Sequence, residues 1–157
     1  MGNLASRVVT FVGDGACNVP VSWIWAAERL GFELRIAAPK AFQPEPALLA
    51  KLQSRKIYVT EDLQEAASGA DVLYTDVWVS MGREEEAAFR QAQLANYQIH
   101  TDLVNAAKPG ALVMHCLPAY RGKEITAEVF ERHADTIFSQ AENRLHAQKA
   151  VLSWLVA

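Results

Sequence analysis

The chain has 157 residues, of which 51% are hydrophobic and 21% charged, and its formal net charge is −3. This length suits one domain over residues 1–157 with a sizeable core, and the hydrophobic share excludes an intrinsically disordered chain. The negative charge disfavours a nucleic-acid partner, and no apolar run approaches the roughly 18 residues that a membrane span needs. Two cysteines are too few for a disulfide scaffold or a four-ligand zinc site, so we expect a cytoplasmic protein.

Short β-branched or apolar runs alternate with longer helix-like stretches along the whole chain. Six strands are predicted, at 7–12, 33–38, 56–59, 72–75, 111–115 and 136–139. Seven helices are predicted, at 18–30, 44–51, 60–68, 83–94, 101–107, 125–132 and 143–156. We expect Gly31 to be the C-cap of the first helix and Thr60 the N-cap of the third. The alternation predicts one doubly wound, Rossmann-like α/β domain, with a parallel sheet and helices on both faces.

Polar motifs follow four of the predicted strands. In an open parallel sheet, ligands bind beyond the carboxyl ends of the strands, near the point where the strand order reverses. The motifs are Gly13-Asp14-Gly15, the segment 76–82, His115-Cys116-Leu117-Pro118 and the segment 140–144. We therefore expect all four motifs to lie at the same edge of the sheet.

The glycines at the first strand end suggest nucleotide binding, but the surrounding sequence does not favour that interpretation. A dinucleotide-binding fingerprint needs a third glycine where this chain has Asn18. It also needs an acidic residue at the end of the second strand, where Ala38 and Pro39 stand. We therefore predict a tight turn at this position and no organic cofactor.

Asp76 stands just after the fourth predicted strand, where a carboxylate can hold an ammonium group of a ligand. The same residue could instead serve only to form a turn. The adjoining Ser80-Met81-Gly82 offers backbone polar groups and a flexible hinge, and together with the other motifs it favours the ligand-binding interpretation.

The motif after the fifth predicted strand is open to two interpretations. Cys116, beside His115, could contact an amine or act as a reactive thiol, and a cis bond before Pro118 would expose the Leu117 carbonyl to a ligand. Equally, the cysteine could be a small core residue and the histidine a buried, hydrogen-bonded one. The other histidines have no metal-ligand spacing, so we predict no metal site.

The last predicted helix offers a cation and an apolar face. Arg144 could reach an anion with two parallel hydrogen bonds, or it could form a surface ion pair with Glu142. Apolar residues along the helix form a stripe for docking, and they include Leu145, Ala150, Val151 and Trp154.

Three motifs together resemble those of ornithine carbamoyltransferases. They are Asp-Val-Trp-Val-Ser-Met-Gly at 76–82, His115-Cys116-Leu117-Pro118, and Ala-Glu-Asn-Arg-Leu-His at 141–146. Gly13-Asp14-Gly15 followed by Asn18 is similar to the first motif of that family. The resemblance extends from about residue 8 to residue 150 and covers only the carboxyl-terminal, ornithine-binding half of the enzyme.

The resemblance implies a role for each motif residue. The residues that would hold the amino-acid end of ornithine are Asn18, Asp76, Ser80 and Met81. Cys116 and the Leu117 carbonyl would face the side-chain amine of ornithine, and Arg144 would reach toward carbamoyl phosphate. Cys116 and Arg144 are thus the catalytic candidates. The implied partners are ornithine and a carbamoyl-phosphate domain, and no metal or organic cofactor is implied.

The chain also departs from the family pattern. The family's carbamoyl-phosphate domain, with its Ser-Thr-Arg-Thr loop, is absent, and Ala16-Cys17-Asn18 stands where the family has paired asparagines. The chain opens with Met1-Gly2 at what corresponds to the middle of the family's sequence. These features suggest an excised or engineered domain that is inactive alone as a transferase.

Cys17 supports a second hypothesis, a cysteine hydrolase or esterase. A helix N-terminus can lower the pKa of a thiol and donate N–H groups to an oxyanion, and Cys17 lies on the predicted strand-to-helix turn. His115 could serve as the base, because it is expected at the same sheet edge. A third hypothesis is a module that binds an amino acid and catalyses nothing.

Overall fold

The computed structural model describes residues 3–80 and 82–157. The strands are β1 (Val8–Val12), β2 (Glu33–Ala37), β3 (Ile57–Thr60), β4 (Val72–Thr75) and β5 (Leu112–His115). The helices are α1 (Asn18–Leu30), α2 (Pro46–Leu49), α3 (Leu63–Ala67), α4 (Ala87–Leu94), α5 (Thr101–Ala106), α6 (Ala127–Arg132) and α7 (Ala134–Val156). Short 3-10 turns occupy Leu4–Ser6, Lys40–Phe42 and Glu84–Glu86.

The sheet is parallel throughout, with the strand order β3-β2-β1-β4-β5. Successive residues of a strand face opposite sides, so β1 contributes Val9 and Phe11 to one core cluster and Val12 to the other. The first cluster includes Ile24 of α1, whereas the second includes Ile137 of α7. Helices therefore cover both faces, and the predicted doubly wound α/β architecture is confirmed.

The strand order reverses between β1 and β4, and this places two of the polar motifs side by side. Val12, the last residue of β1, pairs with Thr75, the last residue of β4, so the chain leaves both strands at the same edge. Gly13 has a φ of 128°, a region that side chains disfavour. A Cβ at Gly15 would lie 2.7 Å from Cγ2 of Ile36, so only glycine allows this turn to pack against β2.

The predicted sixth strand, at 136–139, is wrong, because these residues belong to α7. The amides of Thr136 and Ile137 both donate to the His133 carbonyl, as in the first turn of a helix. Their β-branched side chains favour a strand only weakly, and here the burial of Ile137 against the sheet decides the outcome. The last helix thus begins at residue 134 and not at 143. None of the helices among the described residues, α7 included, is long and apolar enough to cross a membrane.

Of the two predicted helix caps, one is confirmed and the other is wrong. Gly31 is the C-cap of α1, as predicted, and its amide donates to the Ala27 carbonyl at 2.9 Å. Thr60 does not cap α3, because it is the last residue of β3. Asp62 is the N-cap instead, since its carboxylate accepts the Glu65 amide at 2.9 Å.

Candidate functional site

A cleft of about 630 Å³ lies at the carboxyl edge of the sheet, beside the point where the strand order reverses. Its lining includes six of the sequence-predicted site residues, namely Asn18, Asp76, Ser80, Cys116, Leu117 and Arg144. Residues separated by more than 120 positions thus meet in one concave surface. Met81 lies outside the described residues, and Arg144 comes from within α7 rather than from its start.

Asp76 and Cys116 form the polar pair within this cleft. The Cys116 Sγ donates to Oδ1 of Asp76 at 3.0 Å, and the Val77 amide donates to the same oxygen at 2.8 Å. Burial raises the pKa of the Cys116 thiol to about 12, and the hydrogen bond to the Asp76 carboxylate adds to this shift. Cys116 is therefore a protonated hydrogen-bond donor, and not a reactive thiolate.

The side chain of His115 is completely buried, and its hydrogen bonds fix the backbone that follows β5 beside the cleft. Its Nδ1 accepts the Leu117 amide at 2.9 Å, so the proton of the neutral ring is assigned to Nε2. That nitrogen lies 3.2 Å from Oε1 of Glu124, which also accepts the Tyr120 amide at 2.6 Å. The ring thus sets the direction of the Leu117 backbone, where φ is 59° and the bond to Pro118 is cis as anticipated.

Tyr74 and Gln140 are cleft residues that sequence reasoning missed. The Gln140 side chain donates to the Tyr74 hydroxyl at 2.7 Å and accepts the His115 amide at 3.1 Å. It therefore connects α7 with the ends of β4 and β5. The sequence carried one signal for Gln140, its place in the motif segment 140–144, but none for Tyr74, which is an ordinary strand residue.

A buried ion pair, also missed, connects the first turn with the loop after β4. Arg90 of α4 pairs with Asp14, and both side chains are almost completely buried. The guanidinium also donates from Nε to the Trp78 carbonyl at 2.7 Å and lies 4.8 Å from the centre of the Phe42 ring. Arg90 thereby holds together two of the loops that shape the cleft.

The described contacts give the predicted Cys17–His115 dyad no support, and the dyad stays a prediction. Cys17 is the N-cap residue of α1, as its position suggested, but burial raises the pKa of its thiol to about 12. The nearby Asp14 carboxylate raises this pKa further, and together these effects outweigh the backbone hydrogen bond from Val19 that favours a thiolate. His115 has no free nitrogen for a base, since both are hydrogen-bonded.

The ligand atoms of Asp76, His115 and Cys116 lie within 4.8 Å of one another, close enough to be considered as a metal site. A metal would have to displace the Leu117 amide or Glu124 from the ring of His115 and the proton from Cys116. The ring of His115 and the thiol of Cys116 already have hydrogen-bond partners without an ion. The absence of a metal nevertheless stays a prediction.

The raised thiol pKa values predict slow alkylation of both cysteines. At pH 8 a thiol with a pKa near 12 is ionised in about one molecule in ten thousand, so we expect alkylation roughly a thousand-fold slower than for a free cysteine. Iodoacetamide labelling followed by mass spectrometry of the two peptides measures each rate. Asp76→Asn should speed the labelling of Cys116 more than that of Cys17, since it removes the carboxylate that accepts the hydrogen bond of the Cys116 thiol. Labelling of native Cys17 at the free-cysteine rate would contradict the buried thiol.

The chain matches the family model described as "Aspartate/ornithine carbamoyltransferase, Asp/Orn binding domain" over residues 6–155. The chain belongs to this family. The ornithine carbamoyltransferase of Campylobacter curvus is 46% identical over 153 residues, which are 94% of this chain and 50% of that protein. The one from Nitratiruptor is 47% identical over 160 residues, covering 98% of this chain and 52% of that protein. The chain thus spans about half the length of the curated relatives it matches.

Solved structures agree with this membership of the carbamoyltransferase family. The crystal structure of the anabolic ornithine carbamoyltransferase from Campylobacter jejuni superposes with a TM-score of 0.90 at 38% identity and covers 98% of this chain and 53% of its own. The ornithine carbamoyltransferase from Thermus thermophilus superposes with a TM-score of 0.86 at 38% identity and covers 100% and 50%. The resemblance of the sequence motifs is therefore confirmed, together with the fold.

Proposed function

We propose that this chain is the ornithine-binding half of an ornithine carbamoyltransferase. That reaction transfers the carbamoyl group of carbamoyl phosphate to the side-chain amine of ornithine. The observation that carries the proposal is the meeting of six motif residues in one cleft, with Asp76 and Cys116 hydrogen-bonded to each other inside it. Membership of the carbamoyltransferase family supports the same assignment.

The polar groups of the cleft suit an amino acid with a second amine. We assign the amino-acid end of ornithine to Asn18, Asp76 and Ser80, and extend this to Met81 by resemblance. Oδ2 of Asp76 accepts no hydrogen bond from the described residues, so it remains open to an ammonium group. Cys116 and the Leu117 carbonyl would then face the side-chain amine.

The chemistry needs a neutral amine held near an electrophilic carbon. The amine nitrogen forms a bond to the carbamoyl carbon, the bond from that carbon to the phosphate oxygen breaks, and phosphate leaves with the electron pair while the nitrogen loses a proton. Orientation of the two substrates supplies much of the rate, and cations stabilise the charge on the leaving phosphate.

We further propose that the chain is inactive alone. Arg144 is the only cationic side chain among the described residues that line the cleft. One exposed guanidinium is a poor clamp for a phosphate dianion. The half of the enzyme that this chain does not contain would supply the remaining phosphate contacts.

Weak ornithine binding is the first expected result. We expect millimolar affinity by isothermal titration calorimetry, because half of the enclosing surface is missing. Asp76→Asn should weaken binding at least tenfold, since it removes a buried carboxylate from the cleft. Asp102→Asn makes the same chemical change on an exposed carboxylate and should leave binding unchanged. No binding by the unmodified chain, or equal binding by Asp76→Asn, contradicts the ornithine site.

The second expected result is that the chain alone does not catalyse the formation of citrulline. The purified chain, given ornithine and carbamoyl phosphate, should form no citrulline above the uncatalysed background in a colorimetric assay. Mixing it with a separately produced carbamoyl-phosphate half of a relative should restore turnover that Arg144→Ala abolishes. Turnover by this chain alone would disprove its inactivity, and ornithine binding with no turnover in the mixture would favour a binding module.

A further inference from the structure

The ring of Tyr74 is held firmly beside the cleft. Tyr74 belongs to β4, and only 5% of its surface is exposed. Its ring stacks on that of Phe11 with the ring centres 5.9 Å apart, and the ring of Trp23 meets it edge to face at 5.3 Å. Tyr74 nevertheless contributes to the lining of the cleft. Its hydroxyl therefore has a defined position there, which packing of the ring maintains.

Gln140 determines where the hydroxyl hydrogen of Tyr74 can point. The backbone amide of His115 can only donate, so the Gln140 atom that faces it at 3.1 Å is the side-chain oxygen. The side-chain nitrogen of Gln140 then faces Tyr74 and donates to its hydroxyl oxygen at 2.7 Å. Burial raises the pKa of Tyr74 above its usual value, so the hydroxyl keeps its proton at neutral pH. That hydrogen is therefore available to an acceptor other than Gln140.

The sulfur of Cys116 is the acceptor that the cleft offers to Tyr74. Burial is the main cause of the raised pKa of the Cys116 thiol, whereas a side-chain hydrogen bond with Tyr74 lowers this pKa. A hydrogen bond that lowers the pKa of a thiol is one that the sulfur accepts, because it favours the thiolate. The thiol donates its own hydrogen to Oδ1 of Asp76 at 3.0 Å. The sulfur can thus accept from Tyr74 and donate to Asp76 at the same time.

We propose that Tyr74 is a positioning residue of the ornithine site, because its hydroxyl donates to the Cys116 sulfur and so keeps the Cys116 hydrogen directed at Asp76. This inference rests on the ornithine-binding role proposed above. The hydrogen bonds run in one direction, from Gln140 through Tyr74 and Cys116 to the Asp76 carboxylate, and bonds in such a chain strengthen one another. With the Val77 amide at 2.8 Å, the chain holds Oδ1 of Asp76 and leaves Oδ2 for the ammonium group.

Tyr74→Phe tests the chain of hydrogen bonds directly, since it removes the hydroxyl and keeps the packed ring. The S–H stretching band in the Raman spectrum reports how strongly a thiol donates, and Cys116→Ala assigns the band of Cys116 against that of Cys17. In Tyr74→Phe we expect the Cys116 band to move to higher wavenumber, because the bond to Asp76 weakens once the sulfur accepts none. Gln140→Glu should move the band in the same direction, because its carboxylate would accept the Tyr74 hydrogen.

Ornithine binding provides a second readout, which a purely structural role of Tyr74 would not reproduce. By NMR titration, Tyr74→Phe should raise the Kd for ornithine about three- to tenfold. In a Cys116→Ala background the same change should have no further effect, because Tyr74 acts through the sulfur. Tyr97→Phe is the matched control, since the Tyr97 hydroxyl donates to the Glu61 carbonyl at 3.2 Å and Tyr97 does not line the cleft. It should leave both the Kd and the Cys116 band unchanged.

Two results would overturn the positioning role, provided that circular dichroism shows each variant folded. The first is a Cys116 band that stays in place in Tyr74→Phe, since the hydroxyl then does not donate to the sulfur. The second is an equal loss of ornithine affinity from Tyr74→Phe with and without Cys116, since Tyr74 then contacts ornithine itself or only supports the packing. Failure of the unmodified chain to bind ornithine would instead reject the proposed function, and the Cys116 band would still decide the direction of the hydrogen bonds.

Discussion

Arg90→Met is expected to lower the free energy of unfolding by about 3–5 kcal/mol, the cost of leaving one member of a buried ion pair without its partner. Methionine fills a similar length of side chain, so packing changes little. The Asp14 carboxylate would remain buried with only the Ala16 amide, at 3.0 Å, and the Trp78 carbonyl would lose its donor. Urea denaturation followed by tryptophan fluorescence measures the loss.

The same helix region offers a matched control for Arg90. Arg83→Met removes an exposed guanidinium that pairs with Glu86, and such surface pairs contribute less than about 1 kcal/mol. Adding Asp14→Asn to Arg90→Met should restore about 1–2 kcal/mol of stability, because the buried charge is then gone. Equal losses from Arg90→Met and Arg83→Met would show that the buried pair does not hold the two loops together.

Glu124→Leu is expected to cost about 2–4 kcal/mol of stability, since one buried and one part-buried donor lose their acceptor. These donors are Nε2 of His115 and the Tyr120 amide. Leucine is chosen because alanine would leave a space joined to the adjoining pocket of about 270 Å³, and water could enter that space and replace the carboxylate. Because the His115 ring also orients Leu117, ornithine binding should weaken in parallel.

Two further variants separate the hydrogen bonds of Glu124 from its charge and size. Glu124→Gln keeps an oxygen that can accept from both donors, so it should cost less than half as much as Glu124→Leu. Glu128→Leu alters an exposed carboxylate that pairs with Arg132, and it should change the unfolding midpoint little. Thermal unfolding by circular dichroism compares all three. A Glu124→Leu protein as stable as Glu128→Leu would refute the role of the His115–Glu124 contact.

Local sequence sufficed to predict the five strands of the sheet and the position of the site. The predicted bounds of β4 are those observed, because its four residues are all buried and a continuous apolar run is typical of a central parallel strand. The motifs that follow the strands ending at Val12, Thr75 and His115 were expected together, since carboxyl ends of parallel strands share one edge. Pairing of Val12 with Thr75, and of Thr75 with His115, confirms this expectation.

Residues 136–139 show what local pattern could not decide. A β-branched and aromatic run has a strand-like composition, but strand preference depends on what the side chains pack against. In this chain Ile137 packs as part of a helix against the sheet, and the same helix continues to Arg144. Both Gln140 and Arg144 therefore line the cleft, although the residues before them form a helix and not the predicted strand.

Sequence by itself determined the α/β class, the shared edge and six of the cleft residues, because these follow from periodicity and from short motifs in the chain. Only the tertiary structure decided the protonation of Cys17 and the pairing of Asp14 with Arg90. A thiol's pKa depends on burial and on charges brought near it by folding, and for Cys17 burial outweighed the helix N-terminus. The ion pair joins residues 76 positions apart, a contact that no local pattern records.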